Sequence, residues 1–346
     1  MSAEYVTEPV AKPKRKISVF DFFYKYGTVL MIFIIMIIFS IATPNFLTGE
    51  NISDILRSIS IVTLIALGVT ISLTVNGLDL SVGSTAGLAT ILSASMLVLH
   101  RQEIAVAIIV PIIASLLIGL VNAFLVVKVK IPDILATLSM MFIVQGILLT
   151  YTKGSAIYTN MPLPSGDRAP GIFIPSFLAL GQGHFLGIPV PVPVIIMLLT
   201  VLLVHIVFSY TKFGRFFYVT GGNIEAARLS GVPVNRYRMY AYMFSGLLAG
   251  IGGVVLAARI GVGEVNAGSP FLMDAVAATY IGFSVFGAGK PNVFGTLIGS
   301  ILIGVLLNGL TMLNVPYYMQ DIIKGAVLAG ALALTYYRSK QTSTAV

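Results

Sequence analysis

Long uncharged runs recur along the chain, and they constrain its fold more than any other feature. A helix needs about 20 mostly apolar residues to cross a bilayer. Runs near that length lie at about 27–43, 58–75, 81–100, 104–127, 134–150, 193–210, 239–258, 293–313 and 322–337. A tenth run, 271–289, is weaker because it contains Asp274 and three glycines. The sequence therefore predicts an all-α, polytopic membrane bundle of about ten transmembrane helices.

The composition excludes several classes of protein. Only 10% of the residues are charged and the mean hydropathy is +0.97, whereas a soluble domain carries about 25% charged residues. The absence of cysteine excludes disulfides, thiolate metal sites and cysteine nucleophiles. His100, His184 and His205 are scattered without ligand spacing, so we expect no metal site and no catalytic group.

The basic residues predict how the bundle is oriented. With the N-terminus inside, Lys and Arg favour the inside segments by about three to one, as the positive-inside rule requires. The outside segments hold Arg57, Arg101, Lys153, Arg168 and Arg259. We therefore predict that both termini are cytoplasmic. The predicted parts are a tail at 1–26, a transmembrane domain at 27–337 and a second tail at 338–346.

One predicted external loop, 151–192, is long and rich in proline and glycine. Loops of this length are often functional. A plain connector, a docking surface and an outer gate all remain open as interpretations of it.

A polar stretch, Asn76–Ser84, lies between two of the apolar runs. Lipid cannot satisfy loose backbone groups, so non-helical backbone at this depth must be buried in protein or line a wet cavity. A carboxylate there is expected to have a function. Asp79 or Ser81 is placed to cap a helix that starts near Val82, and the alternative is that Asp79 contacts a substrate.

An offset of 185 residues aligns two similar stretches, Asp79–Ser84 and Glu264–Ser269, and both read acidic, aliphatic, polar, small, Gly, Ser. After them, Asn122 lies near the counterpart of Asn308. The predicted directions of the two halves are opposite, so we predict an inverted internal repeat, which is typical of transporters. The residues expected at the pathway or at helix breaks are Asn76, Asp79, Ser81, Gly83, Glu264, Asn266, Asp274 and Asn308.

The predicted cytoplasmic loop, 211–238, contains the signals of a short helix outside the bilayer. Asn223 suits the N-cap position and Glu225 suits the first turn. Gly231 suits the position just after the helix, and Pro233 prevents the helix from continuing. A solvated loop would explain the arginines of this segment but not the spacing of its Glu, Ala and Gly.

Two motifs resemble those of a known family. The segment Glu225-Ala226-Ala227-x-x-x-Gly231 is similar to the coupling-loop motif of ABC importer permeases, although the later Leu-Pro of that motif is missing. Gly77–Ser84 closely resembles the signature of permeases for ribose and related simple sugars. The resemblance covers about 27–337 and departs at Phe283-Ser284, where the family usually has Gly and Thr or Ser.

The resemblance implies a permease subunit of an ABC importer that moves a simple sugar across a bacterial inner membrane. It also implies a separate ABC ATPase that binds the ATP, a second permease subunit, and an extracytoplasmic sugar-binding protein. We expect no catalytic residue, no cofactor of the chain's own and no nucleic acid. The residues that the resemblance assigns to coupling with the ATPase are Gly222, Asn223, Glu225, Ala226, Ala227, Arg228 and Gly231.

The alternative function is an ion-coupled secondary transporter in which Asp79 and Glu264 bind protons or sodium. This alternative gives no reason for the spacing in 211–238. Asp321 and Lys324 are three residues apart in one apolar run, which favours a structural ion pair. For Asp274, a place on the cavity wall and a cap on a broken helix remain equally open.

Overall fold

The computed structural model describes residues 19–285 and 289–343. Most of the predicted tail 1–26, a few residues of the run 271–289 and the end of the tail 338–346 lie outside the described residues. The helices of the first half are α1 (Val19–Ala42), α2 (Gly49–Thr74), α3 (Val82–Ala94), α4 (Ile104–Val127), α5 (Asp133–Thr152), α6 (Pro175–Gln182) and α7 (Val192–Tyr210). Those of the second half are α8 (Lys212–Gly222), α9 (Ile224–Leu229), α10 (Val234–Ile260), α11 (Ser269–Ser284), α12 (Val293–Met312) and α13 (Tyr317–Ser343).

The prediction of an all-helical membrane bundle is confirmed. In the described part of the chain, seven helical segments are long and apolar enough to cross a membrane. They are α2, α3 with the π-helical turn Ser95–Leu99 that continues it, α4, α5, α7, α10 and α12. The predicted spans 27–43, 271–289 and 322–337 correspond to α1, α11 and α13, which are not among the seven. A count of ten spanning helices therefore stays a prediction.

Several helices extend beyond the apolar runs that predicted them. The helix α2 begins at Gly49 because Thr48 caps it, with the Thr48 side chain accepting a hydrogen bond from the Asn51 N–H. The helix α10 begins at Val234, directly after Pro233. Both extensions carry polar residues, which an apolar run does not include. The amphipathic helix α8 was missed altogether, since its glycines and basic residues hide its apolar face.

Two long helices, α2 and α10, form the centre of the bundle and run antiparallel. The helix α10 packs on α2, α3 and α4, while α2 packs on α10, α11 and α12. Glycines allow these close approaches: Gly119 of α4 lies against the backbone of Tyr242 in α10, and Gly304 of α12 lies against the side chain of Ile59 in α2. Outside this centre, α3 contacts α4 and α5, and α11 contacts α12 and α13.

The bundle has two ends, which we name by the short helices that they carry. The α9 end holds α8 and α9, the end of α2, and the junction between α11 and α12, where the Tyr218 hydroxyl donates to the Pro291 carbonyl. The α6 end holds α6, the start of α2 and the end of α10. There, Arg57 donates to the Gln182 carbonyl, and the Gln182 side chain donates to the Arg259 carbonyl.

The long loop 151–192 is folded over the α6 end. It contains α6, and its Gly171 lies against the backbone carbonyls of Leu97 and Val98 at the end of the α3 segment. Its Ile157 also pairs with Gly263 through two backbone hydrogen bonds of 2.8 Å. The loop therefore covers the tips of the central helices and is more than a plain connector.

Candidate translocation and coupling sites

The end of α2 is a tight, glycine-dependent turn. Asn76 has a φ of 57°, the left-handed conformation that ends many helices. The Asn76 N–H bonds the Leu73 carbonyl, and the Gly77 N–H bonds the Ser72 carbonyl, so the last turn of the helix is satisfied. A side chain at Gly77 would collide with the Tyr242 hydroxyl. The predicted helix break at Asn76 therefore exists and is held by α10.

The backbone between the break and α3 is hydrogen-bonded by α5. The Leu78 N–H donates to Asp133 Oδ2 over 2.6 Å, and the Leu80 N–H donates to Thr137 Oγ1 over 3.1 Å. The Thr137 hydroxyl is also within hydrogen-bonding distance of the Leu78 carbonyl oxygen, which would accept the bond over 3.2 Å. Neither Asp133 nor Thr137 was predicted from the sequence as part of the site. The signal was available, because two polar residues four apart lie on one face at the start of an apolar helix.

Asp79 lies at the centre of a buried cluster of polar side chains. It is fully buried, and its Oδ1 accepts from the Ser81 N–H over 2.9 Å and from the Ser81 hydroxyl over 2.6 Å. The Asn122 side chain donates to Ser81 Oγ over 2.8 Å. Ser81 is the N-cap residue of α3 but makes no side-chain cap bond. Asp79 thus fixes the residue that starts α3 and does not cap the helix directly.

Replacing Asp79 tests this positional role. In Asp79→Ala, the buried Ser81 N–H and hydroxyl lose their acceptor, and we expect a loss of about 3 kcal/mol of stability, since each unsatisfied buried group costs about 1–3 kcal/mol. In Asp79→Asn, the Oδ1 acceptor remains and the new NH₂ takes the place of Oδ2. In the wild type, Oδ2 has no hydrogen-bond partner, although Ser245 lies beside the carboxylate. We expect Asp79→Asn to unfold in detergent near the wild-type temperature. A transport loss in Asp79→Asn without any loss of stability would instead favour a charge-dependent substrate contact.

The second predicted break, at 264–269, is a non-helical segment of turns that lies alongside α3 and ends at the first residue of α11. A side chain at Gly263 would meet Thr90 and Ala94, and the Thr90 hydroxyl lies 3.2 Å from the Glu264 carbonyl oxygen. At the other end of the segment, Gly268 lies against the backbone of Gly83. Since α3 belongs to one of the seven membrane-length segments, this non-helical backbone lies at membrane depth. The starts of α3 and α11 meet there.

The side chains of this segment alternate between the protein interior and the bundle surface. Gly263 and Val265 are buried, whereas Glu264 and Asn266 are exposed. The Gln145 side chain of α5 donates to Asn266 Oδ1 over 2.7 Å. Gln145 was not predicted from the sequence as a site residue. The bundle surface therefore carries one polar strip between α5 and α11, formed by Gln145, Glu264 and Asn266.

Two other predicted site residues lie away from the breaks. Asp274 is inside α11, whose N-cap residue is Gly268, so of its two open interpretations the helix cap is excluded. It is buried and pairs with Lys324 over 3.2 Å. Lys324 also pairs with Asp321 over 2.9 Å, which confirms the predicted ion pair. Asn308 lies inside α12, in a reciprocal amide pair with Asn51 of α2.

The coupling segment forms the short helix that its sequence predicts. Asn223 is the N-cap of α9, and its side chain accepts from the Ala226 N–H over 3.0 Å. At the other end, Gly231 has a φ of +78°, and the Val232 N–H bonds the Ala227 carbonyl. Ala227 is buried and anchors the helix. The helix therefore has two fixed boundaries and one buried contact.

The rest of α9 faces outward. Glu225, Ala226 and Arg228 are exposed, and the Leu229 side chain is 89% exposed. Arg228 and Glu225 form an ion pair of 2.9 Å on this surface. An exposed ion pair contributes little to stability. An exposed leucine beside it on a short, rigid helix fits a docking surface better than a structural role.

The preceding helix, α8, connects α9 to both halves of the bundle. Its Gly221 lies directly against the carbonyl of Thr74 and the N–H of Asn76, at the end of α2. Its Tyr218 donates to the Pro291 carbonyl over 2.9 Å, just before the start of α12. Burial raises the pKa of Tyr218, so the phenol stays protonated and keeps this bond. Asn223 both ends α8 and caps α9.

Comparison with known proteins identifies the family. Residues 51–332 match the family described as "Branched-chain amino acid transport system / permease component". The ribose import permease protein RbsC of Bacillus subtilis is 36% identical over 333 residues, covering 96% of this chain and 99% of the relative. The D-allose transport system permease protein AlsC of Escherichia coli K12 is 31% identical, covering 95% of this chain and 97% of the relative. No solved structure matches the chain significantly.

The chain therefore belongs to this family of transport permeases and is a multi-pass protein of the bacterial inner membrane. A further relative is the L-arabinose ABC transporter permease protein AraH of Azospirillum brasilense, which is 29% identical over 96% of this chain and 93% of the relative. All three relatives are named as permeases of sugar transport systems, and these names do not support the ion-coupled alternative.

Proposed function

We propose that the chain is the permease subunit of an ABC importer for a simple sugar, in the class of ribose, allose, arabinose and xylose for which its relatives are named. The single observation that carries this proposal is α9, a capped and mostly exposed helix beside the bundle. Such a helix offers a separate ATPase a docking surface. The ATPase binds and hydrolyses the ATP, and the permease needs no cofactor.

The distribution of charge supports an orientation with the α9 end in the cytoplasm. The described loops and helix tips at that end hold Lys128, Lys130, Lys212, Arg215, Arg228, Arg236, Arg238 and Lys290. The α6 end holds Arg57, Arg101, Lys153, Arg168 and Arg259. This bias agrees with the positive-inside rule. If α1, α11 and α13 also span the membrane, the bundle has ten transmembrane helices. With the α9 end inside, both termini then lie in the cytoplasm.

The packing supports an inverted repeat over the two halves. An offset of 185 residues takes α2 to α10, α3 to α11, α4 to α12 and α5 to α13. Under this exchange, the contacts of α10 with α3 and α4 become those of α2 with α11 and α12, and all four pairs exist. Gly119 and Gly304, which the offset relates, each pack on the central helix of the opposite half. Such repeats place the pathway near the midplane of the bilayer.

The polar strip between α5 and α11 is the proposed wall of the pathway. Glu264 and Asn266 are exposed there on non-helical backbone. Glu264 makes no ion pair among the described residues, and a charge in contact with lipid would be costly. Backbone of this kind at membrane depth is tolerated where it lines a water-filled cavity. Because the strip lies on the surface of one chain, a second permease subunit, identical or homologous, is needed to close the path.

In the proposed cycle, the sugar arrives from a binding protein at the α6 end, where the loop 151–192 offers a docking surface. ATP binding closes the two nucleotide-binding domains and moves α9. The helix α8 passes this motion to the end of α2 and to the start of α12. The two halves of the bundle then change their relative tilt and open the path to the other side. Most of the selectivity is supplied by the binding protein, so weak contacts inside the path suffice.

Charge reversal on α9 tests this function. In proteoliposomes that contain the permease, its ABC ATPase and its binding protein, Glu225→Lys is expected to abolish sugar-stimulated ATP hydrolysis and uptake. Folding should be intact, because Glu225 is exposed and makes only a surface ion pair. The control is Glu103→Lys, an exposed charge at the α6 end. Normal coupling in Glu225→Lys would exclude the docking role of α9.

A further inference from the structure

The polar strip between α5 and α11 contains one amide pair with unused hydrogen-bonding capacity. Gln145 donates to Asn266 Oδ1 over 2.7 Å, and among the described residues this is the only hydrogen bond that either side-chain amide makes. Two amide groups offer two carbonyl oxygens and four N–H bonds. One oxygen and one N–H are used in the pair. The remaining groups include both donors and an acceptor.

The amide pair lies well inside the membrane-spanning part of the bundle. Gln145 belongs to α5. One turn further along that helix, the Leu148 side chain packs on Gly87 of α3, and its Cδ1 lies 3.7 Å from the position that a Cβ on Gly87 would take. The Val265 carbonyl, next to Asn266, lies at 3.1 Å from the same position. Gly87 is in the body of the membrane-length segment Val82–Leu99. The pair is therefore distant from both helix tips, and lipid cannot satisfy its free groups.

The surroundings of the pair are amphipathic. Phe142 is three residues before Gln145, on the same face of α5, and is 65% exposed. A small sugar has hydroxyl groups that both donate and accept, and ring faces made of C–H groups. Neutral amides beside an exposed aromatic ring suit such a molecule, and they bind it weakly enough for release.

We propose that Gln145 and Asn266 contact the hydroxyl groups of the sugar as it passes along the α5–α11 strip. This inference rests on the proposed function as a sugar importer. The amide pair holds its own bond when the path is empty and exchanges it for bonds to the sugar. Gln145 and Asn266 are therefore substrate-contacting residues, whereas Asp79 and Asn122 position the backbone.

The test uses the complete transporter in proteoliposomes, with Gln145→Met combined with Asn266→Leu. These replacements keep the side-chain size and remove the hydrogen bonds. Sugar uptake is expected to fall about tenfold, which equals about 1.4 kcal/mol of lost interaction. Discrimination between ribose and 2-deoxyribose should weaken. ATP hydrolysis stimulated by the binding protein should stay unchanged, so each ATP moves less sugar. The control is Gln102→Met, an exposed amide at the α6 end.

Several outcomes would overturn the inference. Unchanged uptake and unchanged discrimination in the double variant would exclude sugar contact, and so would a parallel loss of uptake, ATP hydrolysis and thermal stability, because that loss indicates a structural role. If the double variant does not fold, Gln145→Met alone must show weaker discrimination with normal ATP hydrolysis. If the wild-type complex imports none of the four sugars of its named relatives, the proposed function fails first, which is a distinguishable result.

Discussion

Gly268→Ala is expected to lower the stability of the bundle strongly, because the added methyl group has no free space. Gly268 directly precedes α11, and a Cβ there would collide with the carbonyl of Gly83 and lie close to the N–H of Gly87. Both neighbours are backbone atoms of a buried helix, so no side chain can rotate away. Overpacking costs about 1–3 kcal/mol, and we expect a value of about 3 kcal/mol at this contact.

Thermal unfolding of the purified protein in detergent measures this effect, and uptake in proteoliposomes measures its consequence. The matched control is Gly146→Ala, which adds the same methyl group to α5 where nothing lies within 4 Å. The control should keep or slightly raise the melting temperature, because alanine favours a helix. Equal melting temperatures for Gly268→Ala and Gly146→Ala would contradict the close meeting of α3 and α11.

The stretch around Asn76 shows how far local sequence signals reach. Polar residues and glycines between two apolar runs predicted the break, and the structure shows a satisfied helix end with Asn76 in the left-handed conformation. The same kind of signal predicted α9, where Asn223 and Gly231 set the two boundaries. These features depend on residues within one or two turns of each other. Local chemistry therefore determines them almost completely.

The partners of the break could not be predicted in the same way. Asp133 bonds the backbone of Leu78 from 55 positions away, and Gln145 bonds Asn266 from 121 positions away. Such pairs depend on how the helices pack, which the periodicity of one segment does not contain. Asp274 shows the same limit: its place in a weak apolar run left a helix cap and a cavity wall equally open, whereas the structure balances its charge with Lys324 on another helix.

The helix α8 was hidden for a further reason. Its apolar face is short and is interrupted by glycines, and in a soluble loop glycine indicates a turn. In this bundle, Gly214 and Gly221 serve close approach instead, since each lies against the backbone of a neighbouring segment. Only the packed structure distinguishes a glycine that turns the chain from a glycine that lets two backbones touch.

Gly221→Ala is expected to separate ATP hydrolysis from transport. A methyl group at Gly221 would collide with the Thr74 carbonyl and approach the Asn76 N–H, so α8 must move away from the end of α2. The outward face of α9 is unaffected, and the ATPase should still dock. We therefore expect sugar-stimulated ATP hydrolysis within about twofold of wild type and uptake reduced at least about tenfold, a loss of about 1.4 kcal/mol in coupling.

An exposed glycine of α13 supplies the control for this experiment. Gly325→Ala adds the same methyl group to a helix where nothing lies within 4 Å. It should leave both uptake and ATP hydrolysis unchanged. If Gly221→Ala loses ATP hydrolysis together with uptake, α8 supports docking and does not transmit motion to α2. If Gly221→Ala transports as well as Gly325→Ala, the motion of α9 must enter the bundle elsewhere, and the contact between Tyr218 and Pro291 is then the remaining route from α8 into the second half.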